Sequence, residues 1–275
     1  VIRMITTALL LLMHAQVSAQ EDFVVWLDGV GEEAKSLGIP KATIAQTLGN
    51  IEFLPAVIKL DRAQPEFISP FLEYYYQRVD ALKIAKGRAK IQQHAALLNQ
   101  IELQYGVPKE VLIAFWGMET NYGSFQGSID TFSSLATLAY DGRRAGFFRG
   151  QLFDAMRMLS LPHVQVQNLK GSWAGAFGHM QFMPTTLMAY AVDGDGDKSL
   201  DVVHSEADAL ASAANYLSQA GWTKSQPTMI EVSLPENFAW QNAQLFLRKP
   251  LSDWAELGVM AVVPHDATNT RQGAK

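Results

Sequence analysis

Apolar residues recur every three to four positions along much of the chain, a period that predicts helices. From Phe71 to Tyr105, the positions Val79, Leu82, Ile84, Ile91, Ala95, Leu98 and Ile101 mark one long helical stretch with Gly106 as its stop. Pro108 suits the first turn of the next helix, which carries the run VLIAFWGMETNYG from Val111 to Gly123. More helix is predicted in TFSSLATLAYDGRRAGFFRGQLFDAMRMLS, interrupted at Asp141-Gly142, then after Pro184, and again from Ala207 to Gln219. Phe23 to Leu48 and Ala56 to Leu60 hold shorter helix-like patches. Ahead of the helix that Pro184 opens, GSWAGAFGHMQFMP is too rich in Gly and small residues for regular structure and reads as a loop. After Trp222 the period weakens and TMIEVSL has strand character. The chain reads as mainly α, with room for a small β element near the C-terminus.

The N-terminus departs from this pattern. Arg3, an apolar run from Ala8 to Met13, and the small residues Val17 and Ala19 flanking Ser18 have the layout of a secretory signal. Cleavage is expected after Ala19, which makes residues 1–19 a leader and 20–275 the catalytic part of a soluble exported protein. The apolar run is far short of the roughly 20 residues that span a bilayer. A net charge of -5, with basic residues scattered, argues against nucleic acid as a partner, because phosphate binding needs a basic surface. The absence of cysteine excludes disulfides, thiolate nucleophiles, thiolate-bound metals and an acylated N-terminal Cys, so no lipid anchor of that kind is expected.

Three segments carry candidate chemistry. Glu119 is a lone carboxylate at the end of the most apolar helix, one turn beyond Phe115 and Trp116. Apolar neighbours and the negative end of a helix both disfavour its ionised form, which is how an acid keeps its proton near neutrality. The bland alternative is a helix-end Glu facing solvent. In DGDGDKSLDVVHSEAD, the residues Asp193, Asp195 and Asp197 alternate with Gly as first, third and fifth ligands of a Ca²⁺ loop would. Lys198 and His204 break the EF-hand pattern, so closure falls to Glu206 or Asp208, and Ser205 to Asp208 also form a capping box. A solvated acidic turn is the plainer reading. In the Gly/Ala loop, Gln181 can donate to and accept from an N-acetyl sugar, while Trp173 and Phe182 offer apolar faces to sugar rings.

Taken together, LDRAQPEF, YGVPKEVLIAFWGMETNYGSFQG, LATLAYDGRRAGFF, GSWAGAFGHMQFMPTTLMAYAVDGDGD and ADALASAANYL resemble the lytic murein transglycosylases of the MltB type, glycoside hydrolase family 103. The resemblance covers roughly Leu60 to Trp222. It implies a lysozyme-like helical core with additional helices and an EF-hand-like loop, acting on peptidoglycan glycan strands in the periplasm. It places Glu119 at the catalytic acid and Tyr122, Ser172, Gln181, Phe182, Asn215 and Tyr216 along the glycan groove. It assigns a structural Ca²⁺ to Asp193, Asp195, Asp197, Ser199 and Asp208. With one acid and no obvious second carboxylate, the implied reaction releases 1,6-anhydro ends; a lysozyme-type hydrolase and a non-catalytic peptidoglycan-binding protein are the rivals. The chain departs from the family at His179 and Met180, and after RKPLSDWAELGV, where the family's C-terminal part is not recognisable.

Overall fold

Asp80 and His94 divide the single long helix expected from Phe71 to Tyr105 into three. Asp80 adopts extended backbone angles and its side chain accepts the Lys83 N–H, starting a new helix; His94 ends that helix and begins the next. The computed structural model describes residues 22–63, 70–161, 163–164, 169–244 and 246–262. The expected leader and the polar tail from Pro264 lie outside them. The helices in order are α1 (22–36), α2 (Lys41–Leu48), α3 (Pro55–Arg62), α4 (Phe71–Arg78), α5 (Ala81–Gln93) and α6 (Ala95–Tyr105). After them come α7 (Lys109–Thr120), α8 (Thr131–Asp141), α9 (Ala145–Leu159), α10 (Pro184–Tyr190), α11 (Glu206–Gln219) and α12 (Leu251–Glu256). Strands β1 (Ile129–Asp130) and β2 (Lys170–Gly171) pair antiparallel, as do β3 (Val232–Ser233) and β4 (Met260–Ala261). The chain is therefore mainly α, and the strand character near the C-terminus falls in β3.

The contacts divide the chain into two compact units, one ending at Lys224 and one beginning at Ser225. The first unit holds two apolar clusters. In one, Leu112, Ile113 and Trp116 of α7 pack with Leu98 and Ile101 of α6 and with Ala209, Leu210 and Ala213 of α11. In the other, Phe23, Leu27 and Val30 of α1 pack with Leu135 and Leu138 of α8 and with Phe148, Leu152 and Met156 of α9. Burying such side chains yields ~1.5–3 kcal/mol each, which makes these clusters the main support of the helices around them. A buried Asp61 at the end of α3 pairs with Arg143 at 2.7 Å and with Arg144, fastening α3 to the α8–α9 junction. Between α9 and α10, the Gly/Ala loop turns back on itself. Ser172 N–H donates to Ala176 O at 2.7 Å, and Phe177 and Phe182 exchange two bonds. This turn needs glycine: a Cβ on Gly171 would lie 2.1 Å from Ala176 O.

Candidate active site

Helix α7 delivers Glu119 to a cleft of about 380 Å³ lined by Phe115, Met180, Gln181, Phe182, Met183, Thr186, Ala213, Tyr216 and Leu217. Three elements meet there: the last turn of α7, the Gly/Ala loop running into α10, and α11. Glu119 keeps open surface in the cleft, yet the protein packed around it strips enough water from the carboxyl to raise its pKa above the ordinary glutamate value. Arg78 opposes that rise by its positive charge. Among the described residues lining the cleft, Glu119 is the one carboxylate.

Of the aromatic pair expected to flank the acid, Phe115 does so and Trp116 does not. Trp116 is fully buried on the other side of α7, against His94, Tyr122 and His179. Its indole Nε1 donates to His179 Nδ1 at 3.1 Å. Burial lowers the His179 pKa, in keeping with a neutral ring that accepts at Nδ1, although the Glu206 carboxylate acts in the opposite sense.

The expected groove residues fall into two groups. Gln181, Phe182 and Tyr216 line the cleft with Glu119. Gln181 spends its Nε2 on the carbonyls of Gln126 and Gly178, at 3.0 and 3.2 Å, which leaves the side-chain oxygen as its acceptor toward the cleft. Phe182 is largely buried and forms floor rather than an open platform. Tyr216 is more exposed and meets Tyr190 edge to face. The other three stand outside this lining. Ser172 accepts the Ala176 N–H and closes the loop turn. Asn215 donates to Tyr190 O, which ties α11 to α10, and accepts from Gln219 one turn on in α11. Tyr122 is buried beneath α5 and α7, its hydroxyl donating to Lys83 O at 2.9 Å. All three are drawn into backbone or helix-to-helix bonds that a sequence pattern does not reveal. Met180, Met183, Thr186, Ala213 and Leu217 also line the cleft; they lie within the quoted motifs, but no chemistry of their own marked them as site residues.

The acidic loop gathers part of the expected set. Ligand oxygens of Asp193, Asp195 and Asp197 lie within 4.8 Å of one another. The loop's own N–H groups hold them in place: Gly196 and Lys198 donate to Asp193, and Ser199 donates to Asp197. Those backbone bonds, Lys198 first, hold the Asp193 pKa below the usual carboxylate range. Three hard oxygen donors packed this closely fit Ca²⁺. Asp208, the expected fourth carboxylate, is not part of that cluster. Its two oxygens accept the N–H groups of Gly194 and Asp201, at 2.8 Å each, and so clasp the ends of the loop. Burial raises its pKa, and the nearby charges of Asp195 and Asp193 act in the same direction. Ser199 takes part through its N–H. Ser205 caps α11 as expected, accepting the Asp208 N–H at 3.2 Å.

No helix among the described residues is long and apolar enough to cross a membrane. Residues 22–274 match the family described as the transglycosylase SLT domain. Membrane-bound lytic murein transglycosylase B of Escherichia coli (strain K12) is 32% identical over 197 residues, which cover 68% of this chain and 54% of that protein. The crystal structure of SltB3 from Pseudomonas aeruginosa in complex with NAG-NAM-pentapeptide superposes with a TM-score of 0.81 at 42% identity, over 89% of this chain and 66% of that one. The Escherichia coli lytic transglycosylase Slt35 in complex with calcium is 27% identical with a TM-score of 0.73, over 89% of this chain and 77% of that one. The chain thus spans about half the length of the curated relative and two thirds of SltB3. On the match over residues 22–274 and on these likenesses in sequence and fold, the chain belongs to the transglycosylase SLT domain family.

Proposed function

We propose that this chain cleaves the β-1,4 bond between N-acetylmuramic acid and N-acetylglucosamine in peptidoglycan, leaving 1,6-anhydro ends. The observation that carries the reading is a cleft whose described lining holds one carboxylate, with its pKa raised. A glycosidase with two catalytic carboxyl groups uses the second as nucleophile or as base for water. With a single acid, the same group serves twice. Protonated Glu119 gives its proton to the glycosidic oxygen as the C1–O bond breaks, and the leaving sugar departs as an alcohol. The muramoyl N-acetyl oxygen stabilises the cation at C1. Glu119, now a carboxylate, takes the proton of the muramoyl C6 hydroxyl as its oxygen bonds to C1. The acid is restored, and no water is consumed. Intramolecular attack replaces a positioned water because the nucleophile is already held beside C1.

Gln181, through its side-chain oxygen, and Tyr216 would orient the sugars, with Phe182 beneath them. Asp193, Asp195 and Asp197 would hold Ca²⁺, whose part is to fix the loop ahead of α11 and not to act on substrate. The calcium in the Slt35 complex and the oxygen-only cluster of this chain support that assignment. The SltB3 complex with a NAG-NAM-pentapeptide supports glycan strands as substrate. A periplasmic location follows from that substrate and from the leader-like N-terminus.

The test digests purified peptidoglycan with the full chain and identifies soluble products by mass spectrometry. Anhydro ends are expected, and Glu119→Gln should abolish their release while the fold is retained. Reducing ends would assign a hydrolase instead, and binding without release a non-catalytic protein.

A further inference from the structure

Thr120 directly follows Glu119 and is buried where Glu119 is open. Its hydroxyl donates to the His179 carbonyl oxygen at 2.7 Å and accepts the Gly123 N–H at 2.9 Å. One turn earlier on α7, Trp116 donates to the ring of the same His179, and the two rings meet edge to face with centroids 5.4 Å apart. His179 therefore holds the last turn of α7 at two points, by its carbonyl and by its side chain. Its own N–H donates to Val202 O at 3.0 Å, so the clasp is anchored from behind. Two residues further on, Gln181 enters the cleft.

The backbone between these contacts is strained. Asn121, Tyr122 and Gly123 have φ of 50°, 60° and 79°, three left-handed residues in succession, and left-handed tyrosine is rare. Such strain persists where the surroundings over-determine it. Here they do: the Thr120 hydroxyl bridges the turn to His179, and a Cβ on Gly123 would come within 2.4 Å of the His179 ring. The chain reverses around the imidazole.

We infer that His179 is a positioning residue, which through Trp116 and Thr120 sets Glu119 in register with the loop that presents Gln181. The inference rests on the role proposed above for Glu119. Because Trp116 Nε1 can only donate, Nδ1 must be the acceptor and Nε2 must carry the proton. What the clasp requires of residue 179 is thus an acceptor at that place, beyond the volume of a ring. Misplacing a reacting group by a fraction of its contact distance costs turnover more than binding.

The test compares His179→Leu, which removes the acceptor, with His179→Asn, whose side-chain oxygen falls near the Nδ1 position. Both are made in the full chain and assayed on soluble glycan oligomers, with circular dichroism to establish folding. For His179→Leu, kcat should fall about ten- to a hundredfold, with KM nearly unchanged, and His179→Asn should recover most of the loss. Thr120→Val and Thr120→Ser form a second pair with the same expectation, and they decide the matter if His179→Leu does not fold. Wild-type kcat in folded His179→Leu or Thr120→Val overturns the inference. So does a rise in KM at constant kcat, or a failure of the Asn and Ser variants to improve on their partners. Glu119→Gln is run alongside: activity surviving there defeats the catalytic assignment itself, whereas loss there with a silent His179 series defeats only the positioning role.

Discussion

Glu119 stands in an open cleft and still holds its proton more tightly than a free glutamate, because neighbouring protein replaces part of its water. In the proposed reaction the protonated form is the one that gives its proton to the glycosidic oxygen. Activity should therefore be present below the Glu119 pKa and lost as pH rises through it, and the raised pKa should move this alkaline limb above the ordinary 4.5. Arg78 works against that shift by favouring the carboxylate. Arg78→Gln should move the limb of kcat/KM to still higher pH, and Arg78→Lys should leave it near that of the wild type. A pH–rate profile of the three proteins checks this, and a limb displaced to lower pH in Arg78→Gln would contradict it.

Among the helices, the packing of α5 against α7 depends on two residues with no side chain. Tyr122 folds back beneath both helices, and a Cβ on Gly117 would sit 2.7 Å from its ring, one on Gly87 2.5 Å from its hydroxyl. The ring cannot retreat easily, since its hydroxyl is bonded to Lys83 O. Gly117→Ala should then destabilise the protein by about 1–3 kcal/mol, the usual cost of overpacking. Gly150→Ala in α9 provides the contrast: nothing lies within 4 Å of the added methyl, so reduced backbone entropy in the unfolded chain should stabilise by about 0.4–1 kcal/mol. Urea denaturation midpoints of the two variants should move in opposite directions. Stabilisation in both would show that helix propensity outweighs the Tyr122 contact.

At the scale of the whole molecule, the acidic loop joins the cleft-side turn after α10 to the start of α11, and Asp208 clasps its ends. The three clustered carboxylates repel one another, and a bound cation would relieve that repulsion only in the folded chain. Ca²⁺ should therefore raise the melting temperature of the full chain, by an amount corresponding to about 2.7 kcal/mol at a hundredfold excess over Kd. Mg²⁺ should do less, since it gives up its waters reluctantly. Asp195→Asn should remove most of the Ca²⁺ effect without altering the products formed by the enzyme in calcium. An equal Ca²⁺ response in Asp195→Asn would rule out this cluster as the binding place.

The sequence by itself determined the helical character, the end of α7 at the Thr-Asn-Tyr-Gly turn, the loop nature of the Gly/Ala segment, and the nearness of Asp193, Asp195 and Asp197. Each of these is local: a period, a cap, a run of small residues, or ligands two positions apart in one loop. Its motifs also picked out Glu119, Gln181, Phe182 and Tyr216, which the fold brings into one cleft. Only the tertiary structure decided that Trp116 faces the core while Phe115 faces the acid, that Tyr122 is buried, and that Asn215 and Asp208 spend their polar atoms on neighbouring backbone and side chains. A period fixes which side of a helix is apolar. It does not fix which distant donor or acceptor a side chain will meet, and for these residues that meeting sets the role.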